Sequence, residues 1–227
     1  MEQADTKQER EYPPKLTAFG KWVSAQTRRL AMGGPDESGI MRTGYLRNDP
    51  YSVAAIARLR HAVGHEIGDD PETFVWTLPA TDDPDISGNA SRHIDEPTPQ
   101  ERAAHAAITL FAAHQQSIRE SSMHTDDNVS LGRAVGRMAY GNFNENGIRA
   151  LFGRIQTASS WKELLRHARG LIGLLKRERI ALNYGLLAQD LMGLRSDRTR
   201  ANMVRIRWGR DFQRAYRQEQ TGEPHMA

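Results

Sequence analysis

Ser160-Trp161-Lys162-Glu163-Leu164-Leu165-Arg166-His167-Ala168-Arg169-Gly170-Leu171-Ile172-Gly173-Leu174-Leu175-Lys176 is the stretch on which the fold class turns. Trp161, Leu164, Leu165, Ala168, Leu171, Ile172 and Leu175 recur every three or four residues, so a helix gathers them into one apolar stripe. Lys162, Arg166, Arg169 and Lys176 fall away from that stripe. Ser160 and Glu163 have the spacing of a capping box, in which the hydroxyl takes an amide of the first turn and the carboxylate reaches back. A helix with one apolar stripe must bury it against other elements.

Working outward, the same grammar repeats. Thr17–Met32 carries Phe19, Trp22, Val23, Gln26 and Leu30 at helical spacing and stops at Gly33-Gly34-Pro35. Asp49-Pro50 opens a helix to about His65, with Val53, Ile56, Ala57 and Leu59 inward. Pro71 starts a short third helix to Trp76, and Phe74-Val75-Trp76-Thr77-Leu78 is the one strand-like run, with nothing to pair against. Leu78–Pro97, dense in Pro, Asp, Gly and Ser, reads as a mobile surface loop. Thr98-Pro99-Gln100-Glu101 is a second capping box, opening an alanine-rich helix that buries Ala104, Ile108, Phe111 and Ala112. After a polar connector, Ser121–Asp127, helices are expected over Ser130–Tyr140, Asn144–Gln156, the Trp161 segment, Asn183–Leu194 and Asp197 to about Gln218. The expected architecture is all-α: about nine helices in two packed helical-bundle subdomains, 15–125 and 126–220, with no sheet and with flexible tails at 1–14 and 221–227.

Composition removes several chemistries. The 227 residues include no cysteine, which excludes disulfides, thiolate catalysis, thiolate-bound zinc and iron–sulfur clusters. Met1–Lys15 is polar, and no apolar run approaches the roughly 20 residues of a membrane span, so a soluble, cytoplasmic protein is expected. His61 and His65 stand four apart, but the chain after Glu66 does not complete a zinc-protease helix. Asp82, Asp83 and Asp85 lie in a proline-bearing loop without the rigid frame that two-metal chemistry needs. Gly132 and Gly136 flank Arg133 without forming a phosphate-cradling loop, and Trp161, Trp208 and Phe212 share the register of core residues. No catalytic residue, metal or cofactor is expected.

The charge is lopsided. Residues 1–130 hold 13 Lys and Arg against 20 Asp and Glu, a net of −7, whereas 131–227 hold 18 against 8, a net of +10. All of those 18 cations except Lys162 and Lys176 are arginine, the planar fork that suits phosphate oxygens. On the last helix Ala201, Val204, Trp208, Phe212 and Ala215 lie on one side, and Arg200, Arg207, Arg210, Arg214 and Arg217 form a sector roughly opposite. Between Arg195 and Glu219 eight arginines face only Asp197, Asp211 and Glu219. Arg133 and Arg137 stand one turn apart in their own helix. The pattern points to a polyanionic partner.

Four stretches together resemble the CasB family, the small subunit of the type I-E CRISPR Cascade surveillance complex. They are Ala57-Arg58-Leu59-Arg60-His61-Ala62 with Glu66-Ile67-Gly68-Asp69-Asp70-Pro71-Glu72; Val129-Ser130-Leu131-Gly132-Arg133-Ala134; Asn144-Glu145-Asn146-Gly147-Ile148-Arg149-Ala150-Leu151-Phe152-Gly153-Arg154; and Val204-Arg205-Ile206-Arg207-Trp208-Gly209-Arg210-Asp211-Phe212. Arg195-Ser196-Asp197-Arg198-Thr199-Arg200 matches the family's basic approach to its last helix, and Arg92 is the one basic candidate at the turn before the alanine-rich helix. The Leu78–Pro97 loop and an N-terminal extension depart from shorter members. The resemblance implies a non-catalytic prokaryotic subunit present as a pair, contacting backbone and large subunits, with a basic surface for the displaced DNA strand and the guide RNA–DNA hybrid. The nucleic-acid-binding candidates are Arg58, Arg60, Arg133, Arg137, Arg154, Arg195, Arg198, Arg200 and Arg207.

Two other readings stay open. An autonomous helix-turn-helix regulator would use the last helix, which begins Asp197-Arg198-Thr199-Arg200 and keeps Asn202 close by to read base edges. A nuclease would need ligand constellations that this sequence lacks.

Overall fold

Side-chain oxygens set the helix boundaries, because each accepts from an amide that the first turn leaves unpaired. The computed structural model describes residues 15–90 and 96–222. Thr17 caps α1 (Ala18–Met32), and Asp49 caps α2 (Pro50–His61) with Pro50 at the tolerated first position. Two single turns follow, α3 (Phe74–Thr77) and α4 (Pro84–Ser87). Thr98 caps α5 (Pro99–Gln115), and its amide donates to Glu101 Oε2 at 2.7 Å, completing the reciprocal box. Ser130 caps α6 (Leu131–Ala139), and α7 (Glu145–Thr157) begins after Asn144. Ser160, Asn183 and Asp197 cap α8 (Trp161–Arg177), α9 (Tyr184–Leu194) and α10 (Arg198–Thr221). At α8 the return bond slips by one residue, since Glu163 Oε2 accepts from the amide of Ser159 rather than Ser160.

The chain is all-α, with three local corrections. A two-rung antiparallel ladder, Gly34 with Arg42 and Pro35 with Met41, follows α1 where no sheet was expected. Asp36 makes it, because its Oδ1 accepts from the amides of Ser38 and Ile40 at 2.9 Å and closes the turn. The strand-like run Phe74–Leu78 is instead the helical turn α3, entered from a 3-10 turn at Pro71–Thr73 and closed by a Thr77 hydroxyl donating to the Thr73 carbonyl at 3.1 Å. The segment 78–97 contains α4, capped by Asp83 and pinned by the buried Thr98 hydroxyl donating to the Ser87 carbonyl at 2.8 Å. Arg92 lies outside the described residues, as do the tails 1–14 and 223–227.

Helix α5 is the hub. Its small inward residues Ala103, Ala104, Ala106, Ala107 and Ala112 are buried, so α1, α2, α8 and α9 can all approach it. Helix α9 touches α1 and α5 as well as α10, and the buried cluster runs without a break from Phe19 to Phe212. The most extensive helix contact is α6 with α10. There the backbones touch directly: a Cβ at Gly132 would stand 2.3 Å from the Trp208 carbonyl oxygen, and one at Gly136 would stand 2.4 Å from that of Phe212.

The polar connector 116–130 is strapped to the body by buried polar groups. Gln115 Nε2 donates to the Ile118 carbonyl at 2.8 Å, and its Oε1 accepts from the Met123 amide at 2.8 Å. His124 Nδ1 accepts from the Tyr184 amide at 3.2 Å, while the Tyr184 hydroxyl meets His114 Nδ1 at 2.9 Å. Burial pushes His114 down to about 3, and His105 and His124 down to about 4, so all three are neutral in the fold near neutral pH.

Two outcomes follow from this packing. Gly132→Ala and Gly136→Ala should each cost about 1–3 kcal/mol by forcing α6 off α10. Gly173→Ala, on the exposed face of α8 where a new Cβ meets nothing within 4 Å, should be neutral or stabilising by up to about 1 kcal/mol; urea midpoints compare them. Below pH 6.5 the unfolded histidines take protons that the folded ones refuse, so their stabilisation is present above 6.5 and lost as pH falls toward 4. Asp190 and Asp211, raised to about 6, oppose this by favouring the fold at low pH and losing that contribution as pH rises from about 4 to 6. Three groups against two predict a lower urea midpoint at pH 4.5 than at pH 7; an equal or higher one contradicts the assignment.

Candidate nucleic-acid interface

Helix α6 is almost wholly internal: Leu131, Gly132, Ala134, Val135, Gly136, Met138 and Ala139 are buried. What remains facing outward is Arg133 and Arg137, with Tyr140 exposed just beyond the helix end. Spacings of four and three place them in one row. Ser130 starts the helix by accepting the Arg133 amide at 3.2 Å, and its hydroxyl donates to the buried carboxylate of Asp211 on α10 at 2.5 Å. Burial pushes the Asp211 carboxyl up to about 6 against the pull of Arg214.

The α6–α10 contact thereby assembles cations from two helices. Burial lowers the Arg133 guanidinium below its ordinary range, the field of Arg214 lowers it further, and Asp127 opposes. Arg137 is lowered by burial and then by Arg133, with Glu219 and Asp127 opposing. Its Nε is enclosed without a hydrogen-bond partner among the described residues. Arginines stay protonated under such shifts, so the cluster is a fixed positive field. Outward on α10, Ile206, Gly209, Arg210, Gln213, Arg214 and Arg217 line a shallow open depression.

The other candidates are distributed differently. Arg195 donates to the Ser159 carbonyl at 3.2 Å, in the α7–α8 connection, and Arg205, inside α10, donates to that of Gln156 near the end of α7 at 2.7 Å. Arg154, in the last turn of α7, is exposed and has no ion pair among the described residues; Arg198 is likewise exposed, and Arg200 pairs with Asp197 at 3.5 Å. In the first half, Arg58 is ion-paired with Glu72 and stands 4.0 Å from Asp70, and Arg60 Nη2 lies 2.9 Å from His61 Nε2. Helix α2 packs on α5 and α1 rather than on α6 or α10, so these two do not join the α6–α10 cluster.

Arg207 corrects the angular reading of α10. It flanks the buried face and forms an ion pair with Asp190, whose Oδ2 also accepts from the Trp208 indole at 2.6 Å. Burial outweighs both partners and pushes the Asp190 carboxyl up to about 6. Arg207 therefore ties α10 to α9, and its place among the outward cations goes to Arg214, Arg210 and Arg217. Their spacing was visible in the sequence, but which of the sector's arginines met a buried carboxylate was not. Trp208 and Phe212 are core, in a stack with Phe152.

With this geometry in view, a family model described as CRISPR-associated protein Cse2 matches residues 55–212. The chain belongs to the Cse2, or CasB, family. A crystal structure of CasB from Thermobifida fusca is 31% identical, covers 87% of this chain and 99% of that one, and superposes with a TM-score of 0.64. Nothing among curated proteins matches. The Cse2 family supplies the small, structural subunit of type I-E Cascade. Among the described residues no His, Asp and Glu side chains gather as a metal site, and no helix is long and apolar enough to cross a membrane.

Arg207→Ala strands the buried Asp190 and should cost on the order of 3 kcal/mol. Arg210→Ala, on the exposed face of α10, should stay within about 0.5 kcal/mol in the same urea titration.

Proposed function

We propose that this Cse2-family chain is a sequence-blind clamp for nucleic acid within Cascade. The observation that carries the reading is the α6–α10 cluster, where Arg133 and Arg137 stand one turn apart in a half-buried row, Arg133 lowered by burial and then by Arg214, and Arg137 by burial and then by Arg133. Like charges held together gain most from a polyphosphate, which neutralises them and releases counterions. The partner is the displaced DNA strand, with the guide RNA–DNA hybrid alongside. Arg154, Arg195, Arg198 and Arg200 extend the basic track around the start of α10, and Arg58 and Arg60 form a separate, weaker contact because Arg58 already faces carboxylates. The backbone and large subunits and a second copy of the chain complete the assembly in the prokaryotic cytoplasm, and the chain itself performs no catalysis.

In RNA-guided recognition one duplex is exchanged for another of nearly equal stability. A modest grip on the displaced strand is then enough to bias the open state, and the grip needs no knowledge of sequence. The rival regulator draws on the three-residue turn between α9 and α10 and on exposed Arg198, Thr199 and Asn202. It requires base preference, whereas phosphate contacts carry none.

Arg133→Ala with Arg137→Ala should weaken single-strand binding and flatten the dependence of log affinity on log salt by about 0.7 per lost contact. Arg47→Ala, an exposed cation of the first half, should change neither. Anisotropy titrations across salt concentrations measure both. An unchanged slope in the folded double variant overturns the clamp, and a consensus from random duplex selection favours the regulator.

A further inference from the structure

Phe143 stands in the connection between α6 and α7 with its side chain wholly in solvent, at 102% of reference exposure. A phenyl ring contributes nothing to the fold there. Three residues earlier Tyr140, 40% exposed, continues the outward row of Arg133 and Arg137. Its ring is held edge-on against Tyr216, at 5.4 Å and 84°. Tyr216 is itself fixed by stacking on Phe212 at 6.0 Å and by donating its hydroxyl to Glu145 at 3.1 Å. Arg149 completes the platform, 4.7 Å over the rings of Phe212 and Tyr216 and bonded to Glu145 at 2.7 Å. One exposed aromatic on a braced support and a second at the loop tip thus lie at the end of a row of cations.

We propose that Tyr140 and Phe143 form a base-stacking site for an unpaired nucleobase, whose flanking phosphates lie on Arg137 and Arg133. This rests on the nucleic-acid reading above and sharpens it, because a paired base is already stacked and has no free face to offer. Every base has a π-face, so such a site selects single strands without selecting letters. Charge decides for nucleic acid over an apolar protein segment: the row leading to the rings is cationic. Of the neighbouring acids, Glu145 is engaged by Arg149 and Tyr216, Glu178 accepts from Asn142 at 3.5 Å, and Glu219 and Asp127 partly offset Arg137.

The test uses the full chain, an oligothymidine, and a sugar–phosphate strand of equal length without bases, compared by anisotropy. The natural chain should bind oligothymidine about 10-fold more tightly than the baseless strand. Phe143→Ala should abolish most of that preference while leaving affinity and salt slope for the baseless strand unchanged; Tyr140→Ala should act in the same direction. Equal binding of both strands by the natural chain overturns the stacking site yet leaves the phosphate grip standing. Failure to bind the baseless strand, or binding indifferent to Arg133→Ala with Arg137→Ala, overturns the phosphate grip first and the site with it. A Phe143→Ala variant that keeps its base preference but no longer joins the guide-RNA complex overturns the proposal in favour of a protein-docking residue.

Discussion

The missing side chains at Gly132 and Gly136 are the constraint on which the second half of the molecule depends. With no Cβ in the way, α6 lies directly on the backbone of α10 at Trp208 and Phe212. That approach lets the Ser130 hydroxyl reach Asp211 and buries Trp208 deeply enough for its indole to find Asp190 on α9. It also brings Arg133 of one helix into the field of Arg214 on the other, with Arg137 beside Arg133. A larger residue at either glycine would loosen both the core and the basic surface.

Two kinds of arginine emerge from this crossing. Arg207 turns inward to a carboxylate that is almost fully buried, and such a pair is costly to break because removing one member strands the other. Arg133 and Arg137 keep their stems in the seam and their charge outward. Their mutual repulsion is tolerated because the apolar contacts beneath them are extensive, and buried α6 residues have nowhere else to go. Like charges held side by side on this seam cost stability, which is the usual mark of a surface kept for a partner.

For a Cse2-family subunit this division of labour suits the proposed role. Recognition of sequence is delegated to base pairing, so the protein needs a rigid body, a positive track and a means of telling a single strand from a duplex. In the proposed role the helices would provide the first, the α6–α10 cluster the second, and the braced aromatics beside it the third. A flexible loop bearing the same cations would lose ordering entropy on binding and hold the strand less well.

Helix positions were readable from residue order, because capping and 3.6-residue periodicity act within a few residues: Thr98 with Glu101, Asn183 and Asp197 each start the helices their chemistry implies. The excess of arginine after residue 130 and the core register of Trp208 and Phe212 were equally local facts. The strand-like look of Phe74–Leu78 misled because β-propensity expresses packing beside another strand, and no such strand stands there. Contacts distant in sequence needed the assembled fold: that Gly132 and Gly136 are a helix crossing, that Arg207 meets Asp190, and that Tyr140 rests on Tyr216. Such contacts depend on the angle and depth at which helices pack. Those follow from the sum of many side chains, so no single motif in the chain announces them.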